Sequence, residues 1–333
     1  MQAWRVQGGF GLDHLELVDL DEPEGPGPGE VRLQMRAWSL NYRDQLMIGG
    51  SYDPRLAFPW IPLSDGVGEV IAVGEGVERI SVGDRVCPTF SPSWIAGPPD
   101  PEAVRRTRGG PIPGVLAQIL VLPADEVVAV PAHLTDVEAA TLPCAALTAW
   151  SALEGCQPGE TVLVLGSGGV SVWALQLAQR FGARVVATTS THEKAEQLVA
   201  LGADEVILRR SDPRWGQTVR RWSGGGVDRV IEVGGAGTLA QSLDAVRVGG
   251  TVALIGVVAG AQQPLSVLPI LMKQIRCQGI FVGSRHGLEA LCRALVVHPL
   301  RPVVDRIFPL GALPEALSAL ASGQHVGKIC LEA

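Results

Sequence analysis

The chain is short of charge, and shorter still of positive charge: 18% of its 333 residues are charged and the formal net charge is −7. A nucleic-acid binder needs a basic face to displace phosphate counterions, so nucleic acid is not an expected partner. Residues 1–9 hold no basic segment followed by an apolar run, and no export signal is expected. Long hydrophobic runs are missing as well. The most apolar continuous stretch, residues 252–261, is about half of what a bilayer span requires, so no membrane helix is expected. The six cysteines never form a C-x-x-C pair, and scattered thiols fit a reducing cytoplasm better than a disulfide framework. Internal repeats and low-complexity tracts are absent too. What remains is a chain with 47% hydrophobic residues and 41 glycines, rich enough in apolar material to bury cores and without the signature of disorder. Its length fits two domains of roughly 100 to 200 residues each, with small molecules as the expected partners.

Up to about residue 130 the pattern is one of short extended runs broken by Gly and Pro, at residues 31–37, 68–73, 84–88 and 116–122. This reads as a mostly β domain. Residues 88–114, with Trp94, Pro98-Pro99, three arginines and Gly109-Gly110, are longer than an ordinary connection, and loops of that length are often functional lids. After about residue 138 the rhythm becomes strand, helix, strand, helix, which implies parallel pairing through right-handed crossovers. Strands are expected at residues 161–165, 184–189, 229–233, 251–255 and 279–282. Ala174, Leu177, Ala178 and Phe181 fall on the inner stripe of one helix, and residues 193–201 form a second, stopped by Gly202.

Directly after the strand at 161–165 stands Gly166-Ser167-Gly168-Gly169-Val170-Ser171, a G-x-G-x-x-G fingerprint with serine at its third glycine. Such a loop needs a tight turn at Gly166 and close backbone approach at Gly168, so that a pyrophosphate can sit on amides at the helix N-terminus. An NAD site normally carries an acid at the end of the next strand to hold the ribose 2′-hydroxyl. Here that strand ends Ala187-Thr188-Thr189-Ser190, and no acid occurs before Glu193. Thr189 and Ser190 followed by Lys194 suit a 2′-phosphate, so NADP(H) is the expected cofactor. Ser190 and Glu193 also form an S-x-x-E capping box for the following helix.

Residues 66–86 (GVGEVIAVGEGVERISVGDRV), 142–153 (LPCAALTAWSAL) and 162–171 (VLVLGSGGVS) together resemble the medium-chain dehydrogenase/reductases, and the likeness runs essentially end to end. SLNYRD at 39–44 and the GKICL ending are similar to the zinc-independent, quinone-oxidoreductase-like branch, often labelled only as NAD(P)-dependent alcohol dehydrogenase. The resemblance implies an α/β fold in two parts. Residues 1–128 and 285–333 would form a β-rich GroES-like catalytic domain, and residues 129–284 a doubly wound parallel-sheet (Rossmann) domain. Zinc members of the family carry a Cys ligand in a C-x-x-D setting, a G-H-E motif, and a second Cys about four residues before a cofactor-contacting Thr. Here those positions hold Asn41 before Asp44, then Ser64 and Asp65, and only Cys144 before Thr148 survives. One thiolate cannot hold a catalytic zinc, which takes three protein ligands. The four-cysteine lobe gives way to residues 88–114, and no metal is expected in either role.

Without a metal the protein must supply hydrogen-bond donors around the substrate oxygen, and a conjugated acceptor becomes the natural substrate. The resemblance implies a quinone or α,β-unsaturated carbonyl. Asn41 is expected to hold the substrate oxygen, and Tyr42 and Tyr52, the chain's two tyrosines, to line the cleft, with Tyr52 or water giving the proton. Asp44 is expected to be a structural acceptor. The resemblance also places Thr148 at the nicotinamide and Gly234 and Gly235 over the ribose. Ile255, Gly256, Phe281, Val282 and Gly283 would offer backbone groups to the ribose and carboxamide, and Lys328 would lie near the pyrophosphate; no adenine-side role is assigned to Arg209. Relatives pair through the edge of the cofactor sheet, so a cytoplasmic homodimer is expected. The rival readings are a zinc-free alcohol or aldehyde oxidoreductase and an NADPH-binding protein without turnover.

Overall fold

Strand-forming runs at both ends of the chain build one mostly antiparallel sheet. The computed structural model describes residues 1–333, which divide into two units: Met1–Leu147 with Val282–Ala333, and Thr148–Phe281. In the first unit the strands lie in the order Val304–Pro309, Lys328–Glu332, Glu30–Ser39, Asp65–Val73, Arg85–Pro88, Val127–Ala129, with Ile119–Pro123 also pairing Glu30–Ser39. Only the first two are parallel. In Glu30–Ser39 the alternate residues Val31, Leu33, Met35 and Ala37 are buried, the period of two that sends one face of a strand into a core. Two buried indoles satisfy their N–H groups on backbone carbonyls, Trp38 Nε1 to Val115 O at 2.7 Å and Trp4 Nε1 to Leu310 O at 2.8 Å. This unit extends to Leu147, further than the boundary at residue 129 that the resemblance implies. The short helix Asp136–Ala139 and the segment Leu142–Ala146 pack on its strands rather than on the cofactor sheet.

The second unit is a six-stranded parallel sheet in the order Glu205–Leu208, Arg184–Thr189, Thr161–Leu165, Val227–Glu232, Val246–Leu254, Arg276–Gly279. The chain starts at a central strand, builds outward one way, then crosses over and builds the other way, which leaves a crevice at the switch point. Every residue of Thr161–Leu165 is buried, as a strand with neighbours on both sides requires. In the helix Gly169–Arg180 the expected stripe of Ala174, Leu177 and Ala178 is buried, while Phe181 is the C-cap and meets Trp150 edge-on at 5.6 Å.

Two sequence expectations are corrected. The last strand is Arg276–Gly279, not 279–282, because its partner ends at Leu254 opposite Gly279 and the last bond between them is Ile280 N to Leu254 O at 2.9 Å. The helix His192–Ala200 is capped by Thr191, whose hydroxyl accepts from Lys194 N at 3.4 Å, and not by Ser190. No helix is long and apolar enough to cross a membrane.

Candidate active site

The helix Tyr42–Ile48 opens with Asn41 N donating to Asp44 Oδ2 at 2.7 Å. Asp44 is therefore the structural acceptor the sequence suggests, and the Asn41 carboxamide points into a buried polar cluster. Its Oδ1 accepts from Lys328 Nζ at 2.6 Å, and its Nδ2 donates to Ser64 Oγ at 3.4 Å. Ser64 Oγ donates to Asp65 Oδ1 at 2.7 Å, and Asp65 Oδ2 accepts from Cys144 N at 3.1 Å. Lys328 Nζ also donates to Leu40 O. The resemblance puts Lys328 at a pyrophosphate; the structure instead gives its ammonium, on a residue only 4% exposed, to Asn41 and Leu40 of its own unit. Asn41 spends its carboxamide oxygen on Lys328 and one of its two amide hydrogens on Ser64, which leaves the second N–H as its donor for a substrate oxygen.

Electrostatics follow from this burial. Desolvation raises the Asp44 carboxyl to about 7, against the opposing Asn41 N–H and the charges of Arg43 and Lys328. Desolvation also raises Asp65, with Lys328 pulling it back down, and pushes the Cys144 thiol far above its ordinary range, helped by the Asp65 charge. A zinc site needs three free donors, with any thiol ionised. Here the Asn41 oxygen is taken by a cation, the Ser64 hydroxyl points at Asp65, and no group of three His, Cys, Asp or Glu side chains is gathered to hold a metal ion. These residues do not fit catalytic zinc.

Residues 88–114 are fastened along their length. Arg43, which the sequence offers no reason to single out, donates to Arg108 O at 3.0 Å, to Thr107 Oγ1 at 2.8 Å and to Gly110 O. Its guanidinium carbon lies 5.1 Å from the ring centroids of both Tyr52 and Phe90. Arg108 forms a buried ion pair with Glu126, and Trp94 O and Ile95 O accept from Arg285 N and His286 N, each at 2.9 Å. Tyr52 is 48% exposed and Tyr42 40%, so both hydroxyl-bearing rings reach the surface of this unit.

In the second unit Gly166 has φ +78, a left-handed conformation natural to glycine. Gly168, the N-cap of Gly169–Arg180, has an ordinary φ of −75, and a Cβ there would meet no protein atom within 4 Å. Neither conformation nor packing asks for glycine at 168. An approaching ligand does, and no side chain caps the helix, so the residues fit a pyrophosphate. Ser171 at the third-glycine position donates to Leu165 O at 2.7 Å and ties helix to strand. Ser167 and Thr189 are buried at the loop and at the strand end, while Ser190 is half-buried and released from capping. Arg209 follows the register pair Leu208–Thr189, donates its N–H to Thr189 O at 2.9 Å, and keeps a buried Nε without a partner.

The expected ribose-side glycines have packing reasons of their own. A Cβ on Gly234 would come within 2.2 Å of Thr238 Oγ1, and one on Gly256 within 2.5 Å of Val233 O. A residue the sequence reading missed organises this loop. The buried carboxylate of Glu232 accepts from Gly234 N at 2.8 Å, Gly235 N at 3.0 Å, Thr238 Oγ1 at 2.6 Å and Ser242 Oγ. The Glu-Val-Gly-Gly run with hydroxyls at 238 and 242 is its signal in the sequence. Ile255 donates its N–H to Glu232 O at 2.9 Å. Thr148 and Phe281 lie at the two ends of this unit, and Val282, with φ +51, and Gly283 belong to the first.

Comparison with known proteins agrees with this architecture. The alcohol dehydrogenase GroES-like domain family matches residues 27–132, and the zinc-binding dehydrogenase family residues 169–296. A zinc-type alcohol dehydrogenase-like protein of Schizosaccharomyces pombe is 39% identical over 97% of this chain and 96% of its own. An acryloyl-coenzyme A reductase of Metallosphaera sedula is 31% identical over 95% and 96%. Among solved structures, a putative alcohol dehydrogenase of Sinorhizobium meliloti superposes with a TM-score of 0.94 at 40% identity, covering 100% of this chain and 98% of that one. An NAD-dependent alcohol dehydrogenase gives 0.91 at 34%, and the quinone oxidoreductase of Thermus thermophilus, solved also with NADPH, 0.78 at 30%, each covering 100% of both chains. The chain belongs to the medium-chain dehydrogenase/reductase superfamily, a group of oxidoreductases that use nicotinamide cofactors.

Proposed function

We propose that the protein is a zinc-independent, NADP(H)-dependent reductase of conjugated carbonyls, that is, quinones or α,β-unsaturated carbonyl compounds. The observation that carries this reading is the ammonium of Lys328 bonded to Asn41 at 2.6 Å, at the position where zinc members of the family place a ligand. A cation in that place opposes metal binding, and the first unit then acts on the substrate oxygen through hydrogen bonding. The acryloyl-coenzyme A reductase and quinone oxidoreductase relatives act on acceptors of this conjugated kind.

When bound, the reduced nicotinamide supplies the hydride. The chain's part is to bind and orient. Gly166 to Ser171 offer backbone amides to the pyrophosphate, and Ser190 with Lys194 receives the 2′-phosphate, since no carboxylate ends the strand Arg184–Thr189. Thr148, Ile255, Phe281, Val282 and Gly283 remain our candidates for the nicotinamide and ribose. Tyr52, its ring held against Arg43, and solvent water are the proton sources. The protein works as a cytoplasmic homodimer in this reading. The edge strand Arg276–Gly279 is exposed throughout, and Val267, Leu268, Leu271 and Met272 beside it are 58% to 72% exposed, an apolar edge suited to a second copy.

The test is turnover with NADPH and with NADH on benzoquinone, trans-cinnamaldehyde, and simple aldehydes and alcohols, together with elemental analysis of the purified protein. Reduction of the conjugated acceptors with less than about 0.1 zinc per chain is expected. Turnover of alcohols alone, or about one zinc per chain with activity lost to a chelator, overturns the reading; tight NADPH binding with no turnover favours a binding protein.

A further inference from the structure

We propose that Lys328 is a catalytic residue whose ammonium takes over the electrostatic role of a metal, donating a hydrogen bond to the substrate oxygen as negative charge develops on it. This rests on the reading above that the first unit acts on a carbonyl acceptor.

An ammonium carries three donor hydrogens and accepts none. Lys328 is buried, and its hydrogen bonds go to two acceptors, Leu40 O and Asn41 Oδ1. The third N–H has no protein acceptor. Buried donors are nearly always paired, so an unused one on a buried charge asks for a partner that the protein chain does not supply. The donors around it also run in one direction. Lys328 donates to Asn41 Oδ1, Asn41 Nδ2 to Ser64 Oγ, and Ser64 Oγ to Asp65 Oδ1. A cation thus stands at one end of a hydrogen-bonded chain and a carboxylate at the other, an arrangement in which each bond polarises the next. Because a lysine can only donate, Asn41 Oδ1 must be the atom that faces it. Asn41 is the single asparagine of the chain, and Lys328 is one of three lysines. In this arrangement Asn41 is a positioning residue that fixes the ammonium through its carboxamide oxygen.

During reduction of an enone the C4–H bond of the reduced nicotinamide would break, and its electron pair would form the new C–H bond at the β-carbon. The π pair of the alkene shifts to the next bond, and the carbonyl π pair moves to oxygen. Lys328 keeps its proton and holds the resulting oxyanion by a charge-assisted hydrogen bond. A proton from water or Tyr52 then completes the product at the α-carbon. The reductant is the nicotinamide cofactor of the proposed activity, and no further oxidant or reductant is needed.

The experiment compares wild type with Lys328→Met, Lys328→Arg and Lys328→Ala, measuring kcat with the best acceptor of the wild-type panel and the NADPH dissociation constant by fluorescence titration. Loss of one oxyanion donor predicts a fall in kcat of about 100-fold or more for Lys328→Met, with NADPH affinity within about 3-fold of wild type. Lys328→Arg should recover part of the rate, and methylamine added to Lys328→Ala should raise kcat in proportion to its protonated form. A lysine serving the pyrophosphate predicts the reverse, NADPH affinity lost with kcat nearly intact, and that result overturns the proposal. A purely structural lysine predicts a lower melting temperature with no rescue by methylamine, which overturns it as well. If the wild type reduces only simple aldehydes, the conjugated-acceptor reading fails while these arms still decide the role of Lys328, because a carbonyl oxygen gains charge there too. A wild type without any turnover defeats both.

Discussion

The Arg43 guanidinium lies over two rings, its central carbon 5.1 Å from the centroid of Tyr52 and 5.1 Å from that of Phe90. The same group also holds the backbone at Arg108 and Gly110. It therefore links a candidate proton source to the long segment that follows Pro88.

Arg43→Lys keeps the charge and loses the planar fork, so several bonds to the segment go at once. We expect a loss of about 1.5–3 kcal/mol in denaturant unfolding and faster amide exchange in residues 104–114. Unchanged exchange there means the segment is held by other contacts. Tyr52→Phe keeps the ring on the guanidinium and should leave the melting temperature unchanged. A drop in kcat for this variant marks the hydroxyl as the proton source, and an unchanged kcat assigns that proton to water.

Asp44 gives a pH dependence with a defined sign. Its folded value, about 7, lies above the ordinary 3.8. Between those values the folded chain keeps a proton that the unfolded chain has lost, so stability falls as pH rises, by up to about 1.4 kcal/mol per pH unit, and levels off above 7. Asp44→Asn, which can still accept from Asn41 N, removes that slope. The melting temperature of the variant relative to wild type should climb from pH 5 to 7 and then stay constant. A difference that does not vary with pH contradicts the raised carboxyl.

Cofactor choice is testable on the helix His192–Ala200. Lys194→Ala should weaken NADPH by roughly 10-fold to 150-fold and leave NADH nearly untouched, since only NADPH carries the phosphate, and rising salt should shrink the effect. Ser190→Ala should discriminate in the same way without lowering the melting temperature, because Thr191 caps the helix. Thr191→Ala should cost about 1 kcal/mol of stability. Equal losses for the two dinucleotides, or a wild-type preference for NADH, sink the NADP(H) assignment.

Leu271 and Met272, 72% and 70% exposed beside the edge strand, set the assembly test. Light scattering should give twice the chain mass for wild type at micromolar concentration and the single-chain mass for Leu271→Glu with an unchanged circular dichroism spectrum. A monomeric wild type disposes of the homodimer.

What could be read from the sequence was whatever a local pattern determines. Thr161–Leu165 and Arg184–Thr189 have the bounds expected for them because each is a short apolar run between turn residues. The last strand was misplaced for a related reason. Ile280 to Val282 look more strand-like than Arg276–Gly279, but pairing depends on where the neighbouring strand stops, at Leu254. In Ser190-Thr191 two adjacent hydroxyls compete to cap one helix, and only the position of the buried strand end at Thr189 decides between them. Asn41 was legible as a site residue, yet its partner lies 287 positions away, and no spacing rule tells which way the Lys328 side chain turns. Glu232 was missed because a buried acid is recognised only once its four donors are in place.

The fastening of residues 88–114 bears on how this protein can be redesigned. Gly109 sits where a Cβ would come within 2.8 Å of Leu63, Gly110 where one would meet Met47 at 1.9 Å, and Arg108 needs Glu126. With Arg43, these receptors lie outside the segment they receive. A swap of 88–114 for the corresponding stretch of a relative is therefore a transplant that must carry its sockets along, and a library built on the segment alone samples mostly misfitted inserts.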